Sequence, residues 1–435
     1  MACVKFVYRS MSLFVLLSLI LWYCTPDRAM HFELDSYNYD RVARFFCTHG
    51  RFSDPIATDQ VPIYPMGYPA FIALIYSMGG AHVNAVFVTQ ILLVLLTFWC
   101  IFCIACQLYS HTVACYTVGA LAVHVGILVY AQLLLSEVLL MTVLICMFDR
   151  LVRWHTTQRF AYAWQAMCLL GVSLIIKSIA ILFVPVLFLS VVGRSLLQAL
   201  LLCLALLLPI IPFSAYNYVH YGTFQVSPQF SVNMLHYFLP KLIAHADHIS
   251  VQSALERVPC AGTFFQAGCW NRAWHLCWHY ISTYPYSASM LWLLNMGKTV
   301  FGLFTTQLKI MFNPNVRGGA CSFFYADGSI FDRLYRSITY ATSSPLIIAM
   351  GLVELLILLL RPWCMAIGWY VLAHKNRRMA LLIGLFIVLC IAVTGFDGCF
   401  RFRMAFEPLA VMLSMSGLLH LRSVVWHQYG TQSTT

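Results

Sequence analysis

Charged side chains are what this sequence has least of. Lys, Arg, Asp and Glu make up 9% of its 435 residues, while 61% are hydrophobic. A soluble domain carries ~25% charged residues, so there is too little polar side chain here to cover a water-soluble particle. Acids are the scarcer sign, 15 against 26 Lys and Arg, for a net charge of +11. No stretch gathers those cations into a basic patch on a soluble domain, which excludes a nucleic-acid-binding protein. Also missing are internal repeats, low-complexity segments and the paired broken helices that point to a secondary transporter. What remains is a series of long apolar runs with a mean hydropathy of +0.80. This is an all-α, polytopic membrane protein.

Cysteine is plentiful, at 17 residues, but most of it sits inside the apolar runs. Cys100, Cys103 and Cys106 share one hydrophobic segment, where thiolate metal ligands would be costly and free Cys packs as a small hydrophobe. Cys260 and Cys269 lie in a polar loop and pair only if that loop faces an oxidising compartment.

The cations fix the expected topology. Lys5 and Arg9 precede an apolar run, Met11 to Cys24, read as an uncleaved first helix with its basic start in the cytoplasm. Residues 26–66 then hold six acids and four bases, a near-neutral first outer loop. Crossings follow at 82–105, 111–130, 132–149, two within 161–192 that meet at Lys177, 195–215, 343–360, 379–396 and 405–421. The large loop 216–286 is assigned to the outer side. Segment 288–308 is interrupted by polar residues, and 363–374 is short if Arg361, Lys375, Arg377 and Arg378 all stay inside. That gives ten crossings, or twelve if both segments span, with both termini cytoplasmic and the whole chain, 1–435, as one membrane domain. Residues 343–421 supply its C-terminal helices. The segments assigned to the cytoplasm carry eleven bases and one acid, which accounts for nearly all of the net charge.

Five motifs outside the large loop gather outer-side and intramembrane ionisable residues. Asp35 precedes a segment, 37–48, with Tyr39, Val42, Phe45 and Phe46 at helical spacing, which reads as a short interfacial helix. Asp35 is either its N-cap or a functional carboxylate. Pro62, Pro65, Gly67 and Pro69 surround Tyr64, Met66 and Tyr68 and read as a rigid entry into the membrane. Glu137, near the outer end of a helix, needs a polar cavity or a partner. Lys177 sits at a helix junction, where it either snorkels or binds. Arg401 and Arg403, followed by Glu407-Pro408, break the positive-inside bias, and Arg is suited to phosphate.

In this order the motifs Asp-Ser-x-x-Tyr-x-x-x-Ala (35–43), Pro-Met-Gly-Tyr-Pro (65–69), Leu-Ser-Glu (135–137) and Arg-Phe-Arg-Met-x-x-Glu-Pro (401–408) resemble those of GT-C glycosyltransferases. Tyr216-Asn217-Tyr218, Tyr221-Gly222-Thr223-Phe224 and Tyr284-Pro285 fit the same pattern. The chain is similar to the bacterial branch related to glycosyltransferase family 39, which includes protein O-mannosyltransferases and the lipid A aminoarabinose transferase. It departs at Met66, Tyr64, Lys177 and Ala405, where the family often has proline, arginine, arginine and proline.

The resemblance implies a GT-C-like bundle of about 10–12 transmembrane helices with outer loops bearing interfacial helices. It implies a polyprenyl- or dolichyl-phosphate sugar donor and a hydroxyl-bearing acceptor on protein, lipid or glycan. Asp35 is then the general base of an inverting transfer. Lys177, Arg401 and Arg403 bind the donor phosphate, and Tyr39, Tyr68 and Glu137 shape the sugar pocket, with Glu137 alternatively paired to Lys177. No cofactor is required, although a divalent metal is compatible; His275 and His279 at i, i+4 lack a completing carboxylate. The site would face the periplasm of a bacterial inner membrane, or the lumen if the membrane is that of the endoplasmic reticulum. A transporter, flippase or lipid-linked glycan ligase is the competing reading, but it would place ionisable groups at mid-membrane or need a wider groove.

Overall fold

The runs of apolar residues become helices because a backbone in lipid must satisfy its own hydrogen bonds. The computed structural model describes residues 2–25, 34–53, 62–192, 195–259, 267–312, 329–339 and 344–430, which are helical with no strand among them. The first half comprises α1 (Ala2–Cys24), α2 (Leu34–His49), α3 (Gly67–Gly79), α4 (Val83–Leu108), α5 (His111–Ala122), α6 (Val125–Tyr130), α7 (Glu137–Thr157), α8 (Phe160–Ile176) and α9 (Phe183–Val191). Next come α10 (Leu196–Leu207), α11 (Ile210–Tyr221), α12 (Gln229–Val232), α13 (Leu239–Asp247), α14 (Val251–Arg257), α15 (Ala267–Thr283) and α16 (Pro285–Phe301). The chain closes with α17 (Thr305–Phe312), α18 (Ile330–Thr339), α19 (Pro345–Lys375), α20 (Arg377–Thr394) and α21 (Glu407–Gly430).

Among the described residues, α1, α4, α19 and α20 are each long and apolar enough to cross a membrane. α10 and α11 together make a fifth, bent by 53°. One large core runs through α3–α9 and α19–α21. A smaller one joins α13–α16 with the π-helical turn Asn233–Phe238.

Several expected boundaries move. α19 is one continuous helix of 31 residues, so 363–374 is its second half rather than a separate segment. Arg361 therefore does not sit in a turn beside Lys375. It lies 14 residues earlier, about 21 Å along the axis, and is buried against Glu407. The run 111–130 breaks at His124, and the next helix starts only at Glu137 rather than at 132. Segment 288–308 breaks between α16 and α17. Asp35 lies inside the first turn of α2 rather than ahead of it. The pair Cys260 and Cys269, and Arg194, lie outside the described residues. Of the three cysteines in α4, Cys100 is buried, with its Sγ 3.8 Å from that of Cys146.

α19 and α21 pack closely along their length, and glycine permits it. A Cβ at Gly368 would meet the Leu413 carbonyl oxygen at 1.9 Å, and one at Gly417 would meet that of Cys364 at 2.0 Å. Small residues let membrane helices approach in this way. The crossing aligns Arg361 of α19 with Glu407 of α21. Gly417→Leu is therefore expected to cost on the order of 1–3 kcal/mol, read as a lower unfolding temperature in detergent. Gly79→Leu, where an added Cβ meets nothing within 4 Å, should leave that temperature unchanged.

Candidate active site

The residues of this site sit at helix ends and at the joints between helices, where backbone and side chains are released from the apolar packing. Four joints converge at one end of the bundle: the start of α2, the entry to α3, the start of α7 and the end of α8. The 3-10 turn Phe400–Ala405, between α20 and α21, joins them. Gly67 brings two of these together. A Cβ there would meet the Ile175 carbonyl oxygen at 2.6 Å, so glycine lets α3 close onto the end of α8 just before Lys177.

The side chains form one chain of contacts. Tyr64 donates to Asp35 Oδ1 at 2.5 Å, and Arg401 Nη2 lies 2.7 Å from Asp35 Oδ2. Arg401 Nε lies 3.7 Å from Glu137 Oε1, to which Lys177 Nζ donates at 2.6 Å. Phe402 lies beneath both cations, 4.6 Å from Lys177 Nζ and 5.6 Å from the Arg401 guanidinium. Two carboxylates and two cations leave this quartet neutral. It is also graded in exposure: the side chains of Asp35 and Arg401 are 15% and 19% accessible, those of Glu137 and Lys177 3% and 8%. The Asp35–Arg401 end is thus the one an incoming molecule meets. Glu137 Oε2, at the closed end, is buried without a hydrogen-bond partner among the described residues.

Electrostatics set the protonation of the open end. Burial pushes the Asp35 carboxyl up, but the Arg401 charge, the Tyr64 hydrogen bond and the Lys177 charge together hold it below the usual carboxylate range. Asp35 is therefore an acceptor at neutral pH. Burial, then the neighbouring Asp35 charge and the hydrogen bond to it, push the Tyr64 phenol far up, so Tyr64 stays a donor.

Tyr39 and Tyr68 lie behind this chain. The Tyr39 ring is 5.1 Å from that of Tyr64 and 4.9 Å from that of Tyr68. Both are buried, and Tyr68 donates to Gln90 Oε1 at 2.8 Å. Gln90 in turn donates to the carbonyls of Ala131 and Leu133. The two tyrosines build the wall behind Asp35 and Glu137. Further out, Tyr216 and Tyr221 clamp the chain after α2: the Phe52 amide donates to Tyr216 Oη, and Tyr221 donates to the Phe52 carbonyl.

Arg403 departs from the expectation. It is not brought together with Lys177 and Arg401. On a tight turn, residues two apart point to different sides, and Arg403 faces a second buried cluster around Glu407. Its Nη1 donates to the carbonyls of Val300 and Gly302 at 2.6 and 3.1 Å, and its Nε lies 3.2 Å from Glu407 Oε2.

Several neighbours carried little signal in the sequence. Tyr64 appeared only as part of a rigid loop, and its acceptor is 29 positions away. Lys298 appeared only as a polar interruption. It donates to Asn295 Oδ1 at 3.1 Å, and Asn295 donates to the Gly395 carbonyl at 2.9 Å, tying α16 to the loop that leads to Arg401. Among the described residues no three His, Cys, Asp or Glu side chains are grouped to hold a metal ion. His275 and His279 of α15 are exposed, with buried Cys277 between them.

The site is a cluster of paired carboxylates and cations at the joints of an apolar helical bundle, and part of the chain is similar to membrane glycosyltransferases. The family model for dolichyl-phosphate-mannose-protein mannosyltransferase matches residues 64–218, a stretch that contains Tyr64, Tyr68, Glu137 and Lys177 but not Asp35 or Arg401. A comparison with curated proteins finds no match. Among solved structures, ArnT from Cupriavidus metallidurans bound to undecaprenyl phosphate aligns at 13% identity and a TM-score of 0.43, over 93% of this chain and 76% of ArnT. The Archaeoglobus fulgidus oligosaccharyltransferase in its apo form aligns at 14% identity and a TM-score of 0.47, over 98% of this chain. This chain spans about half of that enzyme, 52% of its length.

Lys298 supplies a test of the electrostatics beside the site. Burial, then the Lys241 charge, lower its amine from 10.5 to about 7, against the opposing pull of Asp397 and Cys399. Its folded value lies below its unfolded one, so below about pH 7 the fold bears the full cost of a buried charge. That cost fades as the pH rises toward ~10.4. Lys298→Met should raise the unfolding temperature most at pH 6, with the gain shrinking by pH 10. An equal gain at both values would contradict the shift.

Proposed function

We propose that this protein transfers a sugar from a polyprenyl- or dolichyl-phosphate carrier to an acceptor hydroxyl, with inversion at the anomeric carbon and Asp35 as the general base. The observation that carries the reading is the placement of Asp35. It is an ionised carboxylate at the open end of the site, oriented through one oxygen by Tyr64 and paired through the other with Arg401. The acceptor hydroxyl loses its proton to Asp35 as its oxygen attacks the anomeric carbon. The carbon–oxygen bond to the lipid phosphate breaks on the opposite face. The phosphate leaves as an anion, so it needs cations rather than a general acid.

Arg401 is the cation best placed for this. The donor phosphate competes with Asp35 for the guanidinium, and every step of Arg401 toward the phosphate removes positive charge from Asp35 and makes it a stronger base. Donor binding thereby activates the base. Lys177 is held by Glu137 and supports the phosphate from the closed end. Glu137 Oε2, which has no hydrogen-bond partner among the described residues, accepts a hydrogen bond from a sugar hydroxyl. Tyr39 and Tyr68 bound the pocket from behind. Arg403 acts on the phosphate only through the turn that it shares with Arg401. No step requires a metal.

Sidedness follows from charge. The opposite end of the bundle, where Lys375 donates to the Tyr109 carbonyl and Arg153 pairs with Asp149, carries the basic residues 150, 153, 159, 375, 377 and 378. By the positive-inside rule that end is cytoplasmic. The site then faces the periplasm of a bacterial inner membrane, or the lumen of the endoplasmic reticulum.

Asp35→Asn should abolish release of polyprenyl phosphate from a panel of polyprenyl-phosphate sugars, while donor binding is kept or tightened because Arg401 is released. Near-normal turnover by that variant would remove Asp35 as the base. Tyr64→Phe takes away one interaction that lowers the Asp35 carboxyl. The acid limb of its pH–rate profile should move upward, and an unmoved limb would show that Tyr64 does not act on Asp35.

A further inference from the structure

The Arg-Phe-Arg motif has a second half, Glu407, that the transfer reaction does not use. Its carboxylate is fully buried at the first residue of α21. Arg361 Nη1 donates to Glu407 Oε1 at 2.6 Å, and His124 Nε2 lies 2.7 Å from the same oxygen. His124 Nδ1 accepts from the Ile127 amide, so an imidazole protonated on Nε2 satisfies both contacts. Arg403 approaches the other oxygen of Glu407 at 3.2 Å and stacks over Phe304, 4.3 Å from its ring centre.

The same arginine reaches the joint between α16 and α17. It donates to the carbonyls of Val300 and Gly302, at the end of α16. Glu354 of α19 accepts from the Phe304 and Thr305 amides at 2.7 and 2.9 Å, where α17 begins. Each charge sits at the helix end whose dipole it complements, and the two are 3.6 Å apart. Arg403 is thereby held by the α16–α17 joint, by α19 and by α21, with His124 closing the cluster from the α5–α6 joint.

Buried ion pairs often add little stability, and apolar side chains of similar volume can replace them at no loss. A network of two arginines, two glutamates and a histidine is poorly explained as a stabiliser. Its geometric effect is specific: it fixes one side of the turn Phe400–Ala405. The other side of that turn presents Arg401 to Asp35 and Glu137.

We propose that Glu407 and Arg361 are positioning residues that act through Arg403 and the 400–405 turn to set the place of Arg401. This rests on the reading that Arg401 serves Asp35 and the donor phosphate. When the cluster is loosened, Arg401 withdraws from Asp35, whose carboxyl then rises toward its ordinary value. Displacements of about 1 Å in such a site lower rates on the order of 100-fold.

The test uses the full-length protein in detergent or nanodiscs, with Glu407→Gln and, in case that variant does not fold, Arg361→Met. Hydrogen–deuterium exchange should rise in peptides covering 400–405 and 300–305 and stay unchanged in α4. With any polyprenyl-phosphate sugar that the wild type turns over, turnover should fall ten- to 100-fold at an unchanged KM. The acid limb of the pH profile should move to higher pH as the Asp35 carboxyl loses the Arg401 charge that lowers it, a change that general loosening of the fold would not produce. A folded variant that keeps wild-type exchange in the turn, or a wild-type acid limb, overturns the proposal. If the wild type turns over no donor, the transferase reading fails on its own, and exchange in the turn still decides whether Glu407 and Arg361 hold it.

Discussion

A carboxylate or guanidinium inside an apolar bundle is tolerated only beside its opposite, and the functional end of this molecule is arranged by that requirement. Asp35 lies against Arg401, Glu137 against Lys177, and Glu407 against Arg361 and Arg403. Apart from Glu407 and Arg403, which are four residues apart, these pairs join elements distant in the chain, so satisfying the charges also draws the helix joints together. The neutrality of the Asp35–Arg401–Glu137–Lys177 quartet has a chemical consequence. An incoming anion cannot simply add to it and must displace one partner. The pair nearest the open end, Asp35 and Arg401, is the one it reaches.

The 3-10 turn between α20 and α21 is where the two clusters meet. Its tight pitch sends Arg401 and Arg403 to different sides, while Phe402 between them packs under Lys177 and Arg401. Two arginines so close in sequence look like a double cation for phosphate. In space they divide the work, one facing the opening and the other the core. The continuous α19 makes that division workable by carrying both Arg361 and Glu354 to the inner cluster.

Much of the bundle was legible in the sequence because apolar length is a local property. The runs expected near 82–105 and 379–396 coincide with α4 and α20 to within a few residues, and the stretch 161–192, expected as two helices meeting at Lys177, is α8 and α9 with Lys177 between them. The errors share a physical origin. Arg361 looks like the end of a helix when a charge is assumed to face water, but α19 passes through it, with Glu407 beside the arginine. The run 111–130 looks continuous because its break at His124 is made by a side chain that bonds to α21, and no apolar count registers that. Asp35 could be read from the sequence as a cap or as a functional carboxylate, because its position suits both. Its actual partners, Tyr64 and Arg401, are 29 and 366 positions away.

The scarcity of charge therefore determined, by itself, that this is a helical membrane protein, and the few charged motifs marked residues that the fold gathers at one end of the bundle. Hydropathy and the order of short motifs are one-dimensional and can be read without folding. Which cation meets which carboxylate depends on helix joints converging across hundreds of residues, and on glycines such as Gly67, Gly368 and Gly417 that allow the backbones to close. Only the tertiary structure decided that Arg401 faces Asp35 while Arg403 faces Glu407, because the side of a turn on which an arginine lands is set by what packs around the turn.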